Sequence, residues 1–342
     1  MKFNIRSAMR IPHRLAWILT CSALLAYAQQ PGNRGQNAPP ERTGQPAGNA
    51  NSGDVHLMRV RGNISMIVGA GGNITVQAGD QGIVLVDTGL ANATDNVAAL
   101  IRPLSPKPVA YIINTDDAPD HMGGNLVFGT PPARRGAMVN IISYLTVLDR
   151  VSAPVNGKAP AANAGWPNDT YSEAQRNLHF NGEAIQIFHQ DANTDGNSIV
   201  LFRGSDVVST GDIFDPTQYP IIDLKKGGSI QGELEALNRL KASIIVPELH
   251  YEGGTMVIPG HGRLCDAADV AVYQQMVTII RDRIQYMIKV GMTLDQVKAA
   301  KLTQDFDPIY GSNTGNWTTD MFVEAVYNSL KSKQVTSQTR AN

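Results

Sequence analysis

Residues 113–125 read INTDDAPDHMGGN, and the apolar run Val109–Asn114 leads into them. An apolar run of this kind is typical of a strand that is buried on both faces. Carboxylates and a histidine then follow in a short loop, which ends at a Gly-Gly turn before Asn125. Side chains in a loop between a strand and a helix are well placed to hold a metal ion. This segment therefore predicts a metal site at one end of a buried strand.

Two later segments repeat this placement of polar side chains at the end of a strand. Thr210-Gly211-Asp212 follows the run Val207–Ser209, and Pro259-Gly260-His261-Gly262 follows the run Thr255–Ile258. The ends of adjacent strands meet at one edge of a sheet. The three segments together, in this order, predict one shared metal-binding edge.

The order of strands and helices predicts the fold class. Short runs at 56–61, 64–68 and 73–77 are typical of an antiparallel meander, and Gly82–Asp87 has the pattern of a fully buried strand. A helix is predicted from Thr94 to just before Pro103. Beyond residue 183 we predict strands at 184–188, 198–202, 207–209 and 255–258, and helices at 231–241, 267–290, 293–300 and 319–331. This order predicts an α/β protein with a sheet-on-sheet core and helices on both outer faces.

The helix over 267–290 has the clearest limits in the chain. Asp266 is suited to the N-cap position, and Gly291 supplies the stop after the last turn. Apolar residues between them keep a helical spacing. By contrast, residues 150–183 are rich in Pro, Ala and Asn, and we predict an irregular segment that covers the domain.

The N-terminus carries an export signal. Four basic residues precede the apolar run Leu15–Ala28, which ends in the cleavage pattern Ala26-Tyr27-Ala28. This is typical of a secretory signal peptide over residues 1–28, too short for a stable membrane span. Residues 29–53, almost without large apolar side chains, predict a flexible linker. We expect a periplasmic or secreted protein with one domain over residues 54–333 and a tail over 334–342.

The composition bears on partners and on redox chemistry. The 342 residues carry a net charge of −1, whereas a general nucleic-acid binder is usually basic. Once the signal is removed Cys265 remains, and one cysteine cannot form an intrachain disulfide. We expect a small-molecule substrate or ligand, no nucleic-acid partner and no membrane span in the mature chain, and the oligomeric state stays open.

Across residues 56–265 the chain resembles the metallo-β-lactamase superfamily. The resemblance lies in short motifs in a shared order: VDTG at 86–89, NT at 114–115, DHMGGN at 120–125, ANTDGN at 192–197, TGDIF at 210–214, YPIID at 219–223 and IPGHG at 258–262. It implies a four-layer αββα sandwich, here with extra C-terminal helices. It also implies a metal centre, usually zinc, at the shared edge of two sheets, and usually a hydrolytic activity.

The chain departs from this family in half of its metal ligands. Where the family has His-x-His-x-Asp-His, this chain has Asp116, Ala118, Asp120 and His121, and the family's next histidine is Asn193 here. Alanine cannot bind a metal, and an asparagine carbonyl is a weak ligand for zinc. The resemblance therefore implies that the first metal of the family has lost its ligands, and that Asp116 and Asn193 are candidates for a first-site or a substrate contact.

The ligands of the second metal are intact by the same comparison: Asp120, His121, Asp212 and His261. They imply one divalent cation, with zinc foremost, while the large share of carboxylates also suits manganese or iron(II). For Asp87 the resemblance implies support of the loops beneath the site.

Several of these carboxylates also have a structural interpretation. Asp120 can cap the helix that follows it, and Asp212 can accept hydrogen bonds from turn amides. Asp116 can be a solvated loop carboxylate, and Asp117 a surface one. Cys265 is expected to be a buried apolar residue at the start of a helix.

The sequence supports one leading hypothesis and two alternatives. The leading one is an exported hydrolase, in which metal-bound hydroxide attacks an ester, lactone, β-lactam or related bond and Asp120 orients the water or acts as the base. Because Ala118 and Asn193 replace two ligands, the second hypothesis is a catalytically inactive paralogue that binds a small molecule or a protein partner. The third is a redox protein with iron in the carboxylate-rich site.

Overall fold

The structure is a computed structural model of the chain. It describes residues 54–130, 139–158, 160, 163–244 and 254–341. The predicted signal peptide (1–28) and linker (29–53) lie outside the described residues. Within the described part of the chain, no helix is both long enough and apolar enough to cross a membrane.

The first sheet has seven strands in sequence order. They are β1 (His56–Arg61), β2 (Ile64–Val68), β3 (Ile74–Gly79), β4 (Gly82–Val86), β5 (Val109–Ile113), β6 (Asn140–Tyr144) and β7 (Asp169–Tyr171). Strands β1 to β4 pair antiparallel, as the predicted meander requires, and β4 to β7 pair parallel. The carboxyl ends of the four parallel strands therefore lie along one edge of this sheet.

The second sheet has five strands. They are β8 (Gln175–Phe180), β9 (Glu183–Gln190), β10 (Asn197–Phe202), β11 (Val207–Ser209) and β12 (Met256–Ile258), in the order β12-β11-β10-β9-β8. Neighbouring strands pair antiparallel except β11 and β12, which are parallel. Because they are parallel, the residues that follow β11 and those that follow β12 leave the sheet side by side.

The described helices are α1 (Thr94–Ile101), α2 (Pro119–Met122), α3 (Asn125–Gly129), α4 (Leu145–Val151), α5 (Ile230–Arg239), α6 (Ala267–Lys289), α7 (Leu294–Ala299), α8 (Asp307–Tyr310) and α9 (Thr319–Ala341). Asp266 caps α6 through a reciprocal arrangement with Asp269, as an N-terminal Asp is suited to do. Gly291 follows α6 with a φ of 84°. The predicted limits of α6 are thus within one residue of those observed.

Three apolar layers join the sheets and the helices. Strand β4 lies between two of them, because Leu85 packs in the layer with Val97 of α1, whereas Val84 packs in the layer with Val200 of the second sheet. The third layer joins the second sheet to α5, α6 and α9. The order is helix, sheet, sheet, helix, which confirms the predicted αββα sandwich with extra C-terminal helices.

The structure corrects the prediction for residues 150–183. This stretch holds β7 and β8 and is not irregular throughout. Strand β8 is an edge strand whose side chains alternate between exposed and half-buried, so it lacks the apolar run that marks a buried strand. Strand β6 and helix α4 were also missed. Near the C-terminus, α9 continues to Ala341, whereas the predicted helix ended at residue 331.

Candidate metal centre

Four strand ends bring the predicted ligands to one place. Asp87 follows β4, and the loop 114–118 with α2 follows β5, its parallel neighbour. Asp212 follows β11 and His261 follows β12, which are parallel neighbours in the second sheet. Since the two sheets pack face to face, their strand ends meet at a common edge.

His121 lies at the centre of this edge and is fully buried. Its Nδ1 is 2.7 Å from Oδ2 of Asp87, and its Nε2 is 3.0 Å from Oδ1 of Asp212. Asp87 is itself held in place, because the backbone amide of Thr115 donates to its Oδ1 at 2.8 Å and the Thr115 hydroxyl donates to its Oδ2 at 2.7 Å. With Nδ1 engaged by Asp87, His121 turns Nε2 toward Asp212 and the site.

His261 approaches from the second sheet. Its Nε2 is 3.2 Å from Oδ2 of Asp120 and 3.4 Å from Oδ1 of Asp212. Its ring is roughly perpendicular to the ring of His121, with the centroids 5.9 Å apart. Asp120 lies within α2 and not ahead of it, and its Oδ2 faces His261, which differs from the position of a helix cap.

The distances among these atoms suit a divalent cation. Two ligand atoms that each lie about 2.0–2.1 Å from a tetrahedral zinc are separated by about 3.3 Å. Nitrogen–oxygen distances of this size separate His121 from Asp212 (3.0 Å), His261 from Asp120 (3.2 Å) and His261 from Asp212 (3.4 Å). Asp87 adds a carboxylate behind His121, an arrangement that commonly orients a histidine ligand. The residues present therefore fit a bound metal ion.

Asp116 belongs to the same cluster. It is 2% exposed, so the alternative of a solvated loop carboxylate is wrong. Its Oδ1 accepts the amide of Ala118 at 2.8 Å. Among the described residues, two groups have ligand atoms that all lie within 4.8 Å of one another: Asp120, His121 and His261, and Asp116, His121 and Asp212.

The carboxylates and imidazoles shift each other's pKa values. Burial opposes the charge on His121, yet the carboxylates of Asp116, Asp212 and Asp87 outweigh it and raise its pKa well above the ordinary value. The pKa of His261 is also raised well above its ordinary value, because hydrogen bonds to Asp120 and Asp212 outweigh burial. Burial raises the pKa of Asp116 to about 7. The site thus favours positive charge at its centre.

Three further residues of the loop motifs have other contacts. Asn193 is buried, and its side-chain oxygen accepts the amide of Thr194 at 3.1 Å. Ala118 precedes α2 and offers only its backbone. Asp117 is not a surface residue, because its carboxylate lies 3.1 Å from Arg150 Nη1 and 2.7 Å from Lys226 Nζ and its side chain is 8% exposed. The local sequence gave no sign that these cations approach it.

Sequence analysis missed the role of Asn73, which fixes the loop that carries His261. Its side-chain amide donates to the carbonyls of Pro259 at 2.9 Å and Gly262 at 3.1 Å, and its backbone amide donates to Gly260 at 2.8 Å. The preceding Gly72 approaches His121 so closely that an added Cβ would lie 3.3 Å from its Cε1. The glycine-rich stretch 69–72, between the predicted strands 64–68 and 73–77, was the available signal.

The comparisons with known proteins agree with this architecture. The profile of the metallo-beta-lactamase superfamily matches residues 67–250, which is more than half of the chain. The chain therefore belongs to the metallo-β-lactamase superfamily. A search among curated proteins gave no match.

Solved structures share the fold at low sequence identity. The stereoselective inverting sec-alkylsulfatase Pisa1 from Pseudomonas sp. superposes with a TM-score of 0.62 at 15% identity, over 80% of this chain and 50% of that chain. A metallo-beta-lactamase from Pontibacter korlensis gives a TM-score of 0.52 at 16% identity, over 66% of this chain and 99% of that one. The chain thus spans about half the length of the alkylsulfatase, and both likenesses concern the fold alone.

Proposed function

We propose that this chain is an exported metal-dependent hydrolase that holds one divalent cation with Asp120, His121, Asp212 and His261. The observation that carries the proposal is the convergence of these four side chains, from two sheets, at nitrogen–oxygen distances of 3.0 to 3.4 Å. Membership of a superfamily of hydrolase fold supports the reaction class. Export rests on the predicted signal peptide over residues 1–28.

A cation at this position supplies a Lewis acid and lowers the pKa of a coordinated water. The residues around it have distinct tasks. Asp87 holds Nδ1 of His121 and thereby turns Nε2 of this ring toward the site. Asp120 orients the water or accepts its proton. Although burial favours the neutral acid, the hydrogen bond from His261 lowers the pKa of Asp120, so this carboxylate stays ionised and can accept a hydrogen bond from the water.

Several classes of substrate fit this proposal. An ester, a lactone or a β-lactam offers a carbonyl carbon that a polarised water can attack. The names of two similar structures, an alkylsulfatase and a β-lactamase, add sulfate esters to the candidates and keep β-lactams among them. A fold that hosts many reactions does not choose among these.

Metal content tests the proposal directly. The mature protein is purified without chelators and its metals are measured by mass spectrometry, with His121→Ala, His261→Ala and the exposed control His179→Ala alongside. We expect about one metal per chain, lost in the first two variants and kept in the third. Ester, lactone, β-lactam and sulfate-ester substrates are then screened with the loaded protein.

Two outcomes would contradict the proposal. If the folded protein holds no metal, even after incubation with zinc, manganese and iron(II), the hydrolase hypothesis is wrong and the binding-protein hypothesis remains. Two metals per chain would show that Asp116 and Asn193 rebuild the first site and that the single-cation assignment is wrong.

The inactive paralogue remains the second candidate, because Ala118 and Asn193 stand where the family has histidine ligands. Restoring the family pattern separates the two. If the triple variant Asp116→His, Ala118→His, Asn193→His gains a hydrolytic activity that the parent lacks, the parent is a decayed enzyme. A parent that turns over substrate without these changes is an adapted single-metal hydrolase.

A further inference from the structure

We infer that Asp117 is a positioning residue of the metal centre, which holds the loop that leads to Asp120 and His121 against loops of the second sheet. It acts through an ion-pair network, here called the Asp117 network. The inference rests on the proposed function, because it concerns the spacing of residues proposed to bind a cation. The members of the network are Asp117, Arg150, Asp195 and Lys226.

Each carboxylate oxygen of Asp117 contacts a different cation. Its Oδ1 is 3.1 Å from Nη1 of Arg150, and its Oδ2 is 2.7 Å from Nζ of Lys226. Arg150 extends the network, because its Nη2 pairs with the carboxylate of Asp195 and donates to the backbone carbonyl of Lys226 at 3.0 Å. That carbonyl also accepts the backbone amide of Asp195 at 2.9 Å. Charges that share partners in this way hold a geometry more firmly than an isolated surface pair.

The network joins the two sheets beside the metal centre. Asp117 follows β5 and Arg150 lies in α4, which follows β6, so both belong to the first sheet. Asp195 lies between β9 and β10, and Lys226 lies between β11 and α5, so both belong to the second sheet. The four proposed ligands are divided in the same way, two from the segment after β5 and two from the ends of β11 and β12.

The spacing of the ligands depends on how these two sets of loops meet. Two of the short distances between ligands cross from one sheet to the other, 3.0 Å from His121 to Asp212 and 3.2 Å from Asp120 to His261. Helix α2, which carries Asp120 and His121, begins two residues after Asp117. Because so little chain separates them, a displacement of Asp117 would move these two ligands away from the second sheet. The network therefore sets the ligand spacing and, through it, the affinity for a cation.

Two glycines in the second-sheet loops leave room for the network. A Cβ at Gly196 would lie 3.0 Å from Nη1 of Arg150, and a Cβ at Gly227 would lie 2.7 Å from Oδ2 of Asp195. Each glycine is also the neighbour in sequence of a network residue. A side chain at either position would push the charged groups apart, so these loops are suited to the close approach that the ion pairs require.

The test compares metal affinity with stability in the full mature chain. Zinc, manganese and iron(II) are each titrated alone into the metal-free parent by calorimetry, and the ion that binds most tightly is then titrated into Asp117→Asn. Asparagine keeps the shape of aspartate but removes the charge that attracts the two cations. We expect Asp117→Asn to weaken binding of that ion roughly tenfold, the lower end of the range for residues that support a metal ligand. Urea denaturation of the metal-free proteins measures stability separately.

Asp169→Asn is the matched control. Asp169 pairs with Arg176 at 2.6 Å and also joins the two sheets, but the pair links the edge strands β7 and β8, which carry none of the proposed ligands. This variant should bind the ion as the parent does. The absorption spectrum of cobalt(II)-loaded protein, which responds to the arrangement of ligands around the ion, should change in Asp117→Asn and stay unchanged in Asp169→Asn.

A second variant protects the test against a folding defect in Asp117→Asn. The side chain of Lys226 is 38% exposed, and Lys226→Gln removes one of the two cations at Asp117 without altering the first sheet. We expect it to weaken metal binding in the same direction, by less than Asp117→Asn.

Two outcomes would overturn the inference, and they differ in what they say of the proposed function. If the parent binds metal, and Asp117→Asn and Lys226→Gln bind it as tightly as Asp169→Asn, the network only stabilises the fold and the proposed hydrolase stands. If the parent binds none of the three ions, the proposed function is wrong and the inference fails with it.

Discussion

Oδ2 of Asp87 lies 2.7 Å from Nδ1 of His121, although 34 residues separate the two along the chain. Asp87 can reach this position because β4 and β5 are parallel neighbours, so that the residues after each strand lie side by side. The contact determines which nitrogen of His121 faces the site. Asp87 itself adopts a left-handed backbone conformation, with a φ of 63°.

The first prediction concerns this contact. Asparagine tolerates a positive φ and has the shape of aspartate, so Asp87→Asn should fold. It should nonetheless weaken metal binding by about tenfold to a hundredfold, because the ring of His121 loses the carboxylate that orients it. Calorimetric titration with zinc checks this, with Asp80→Asn as the exposed control. Equal affinities for the two variants would show that Asp87 only supports the loops.

The second prediction concerns Asn73. Asn73→Ala removes two side-chain hydrogen bonds to the loop 259–262 and should lower the free energy of unfolding by about 1–3 kcal/mol. Metal affinity should fall too, since His261 lies in the loop that these bonds fix. Urea denaturation and metal titration measure the two effects. Asn92→Ala, at an exposed position, serves as control. If Asn73→Ala loses no more stability or metal affinity than Asn92→Ala, Asn73 does not fix the loop that carries His261.

The third prediction concerns Gly211, which has a φ of 52° beside Thr115. An added Cβ would lie 2.5 Å from the Thr115 hydroxyl, which donates to Asp87. Gly211→Ala should therefore cost roughly 1–2 kcal/mol for the left-handed backbone and about 1–3 kcal/mol more for the clash.

Gly157→Ala is the matched control for this substitution. Gly157 has a φ of 75°, and apart from its own chain neighbours no atom of the described residues lies within 4 Å of an added Cβ. Gly157→Ala therefore has the cost of the left-handed backbone but no clash. The difference in unfolding free energy between the two variants, measured by urea denaturation, gives the cost of the contact with Thr115. Equal losses of stability in both variants would mean that the Thr115 side chain moves aside without cost.

The fourth prediction concerns Glu233, which is fully buried in α5 with neither carboxylate oxygen hydrogen-bonded in the described structure. Burial first, and the nearby charge of Asp212 second, raise its pKa well above 4.5. Above pH 4.5 the unfolded chain releases this proton while the folded chain keeps it. The folded state therefore loses stability as pH rises from 4.5 toward the raised pKa.

Glu233→Gln should remove this pH dependence. The stability of the variant should match that of the parent near pH 4 and exceed it increasingly toward neutral pH, because glutamine has no proton to release on unfolding. Urea denaturation from pH 4 to 8 gives the difference, with the exposed Glu235→Gln of the same helix as control. If the stability difference between Glu233→Gln and the parent does not change with pH, the Glu233 carboxylate is solvated and not buried.

The limits of the sequence analysis have physical causes. The buried strands β4 and β5 were predicted correctly because a strand covered on both faces is apolar at every position. Helix α6 was predicted within one residue because its cap and its stop are local features. Strand β8 was missed because an edge strand keeps polar side chains. Asp116 and Asp117 were misplaced because their burial depends on residues distant in sequence.

The sequence by itself determined the αββα architecture and the four strand-end residues proposed to bind a metal, since apolar periodicity and short motifs are local properties of the chain. Only the tertiary structure decided which atoms face the site. It turned Nε2 of His121 inward through Asp87, tied Asn73 to a loop 186 residues away, and buried Asp116 beside Asp212. These contacts arise from the pairing of strands and the packing of two sheets, and no local pattern encodes them.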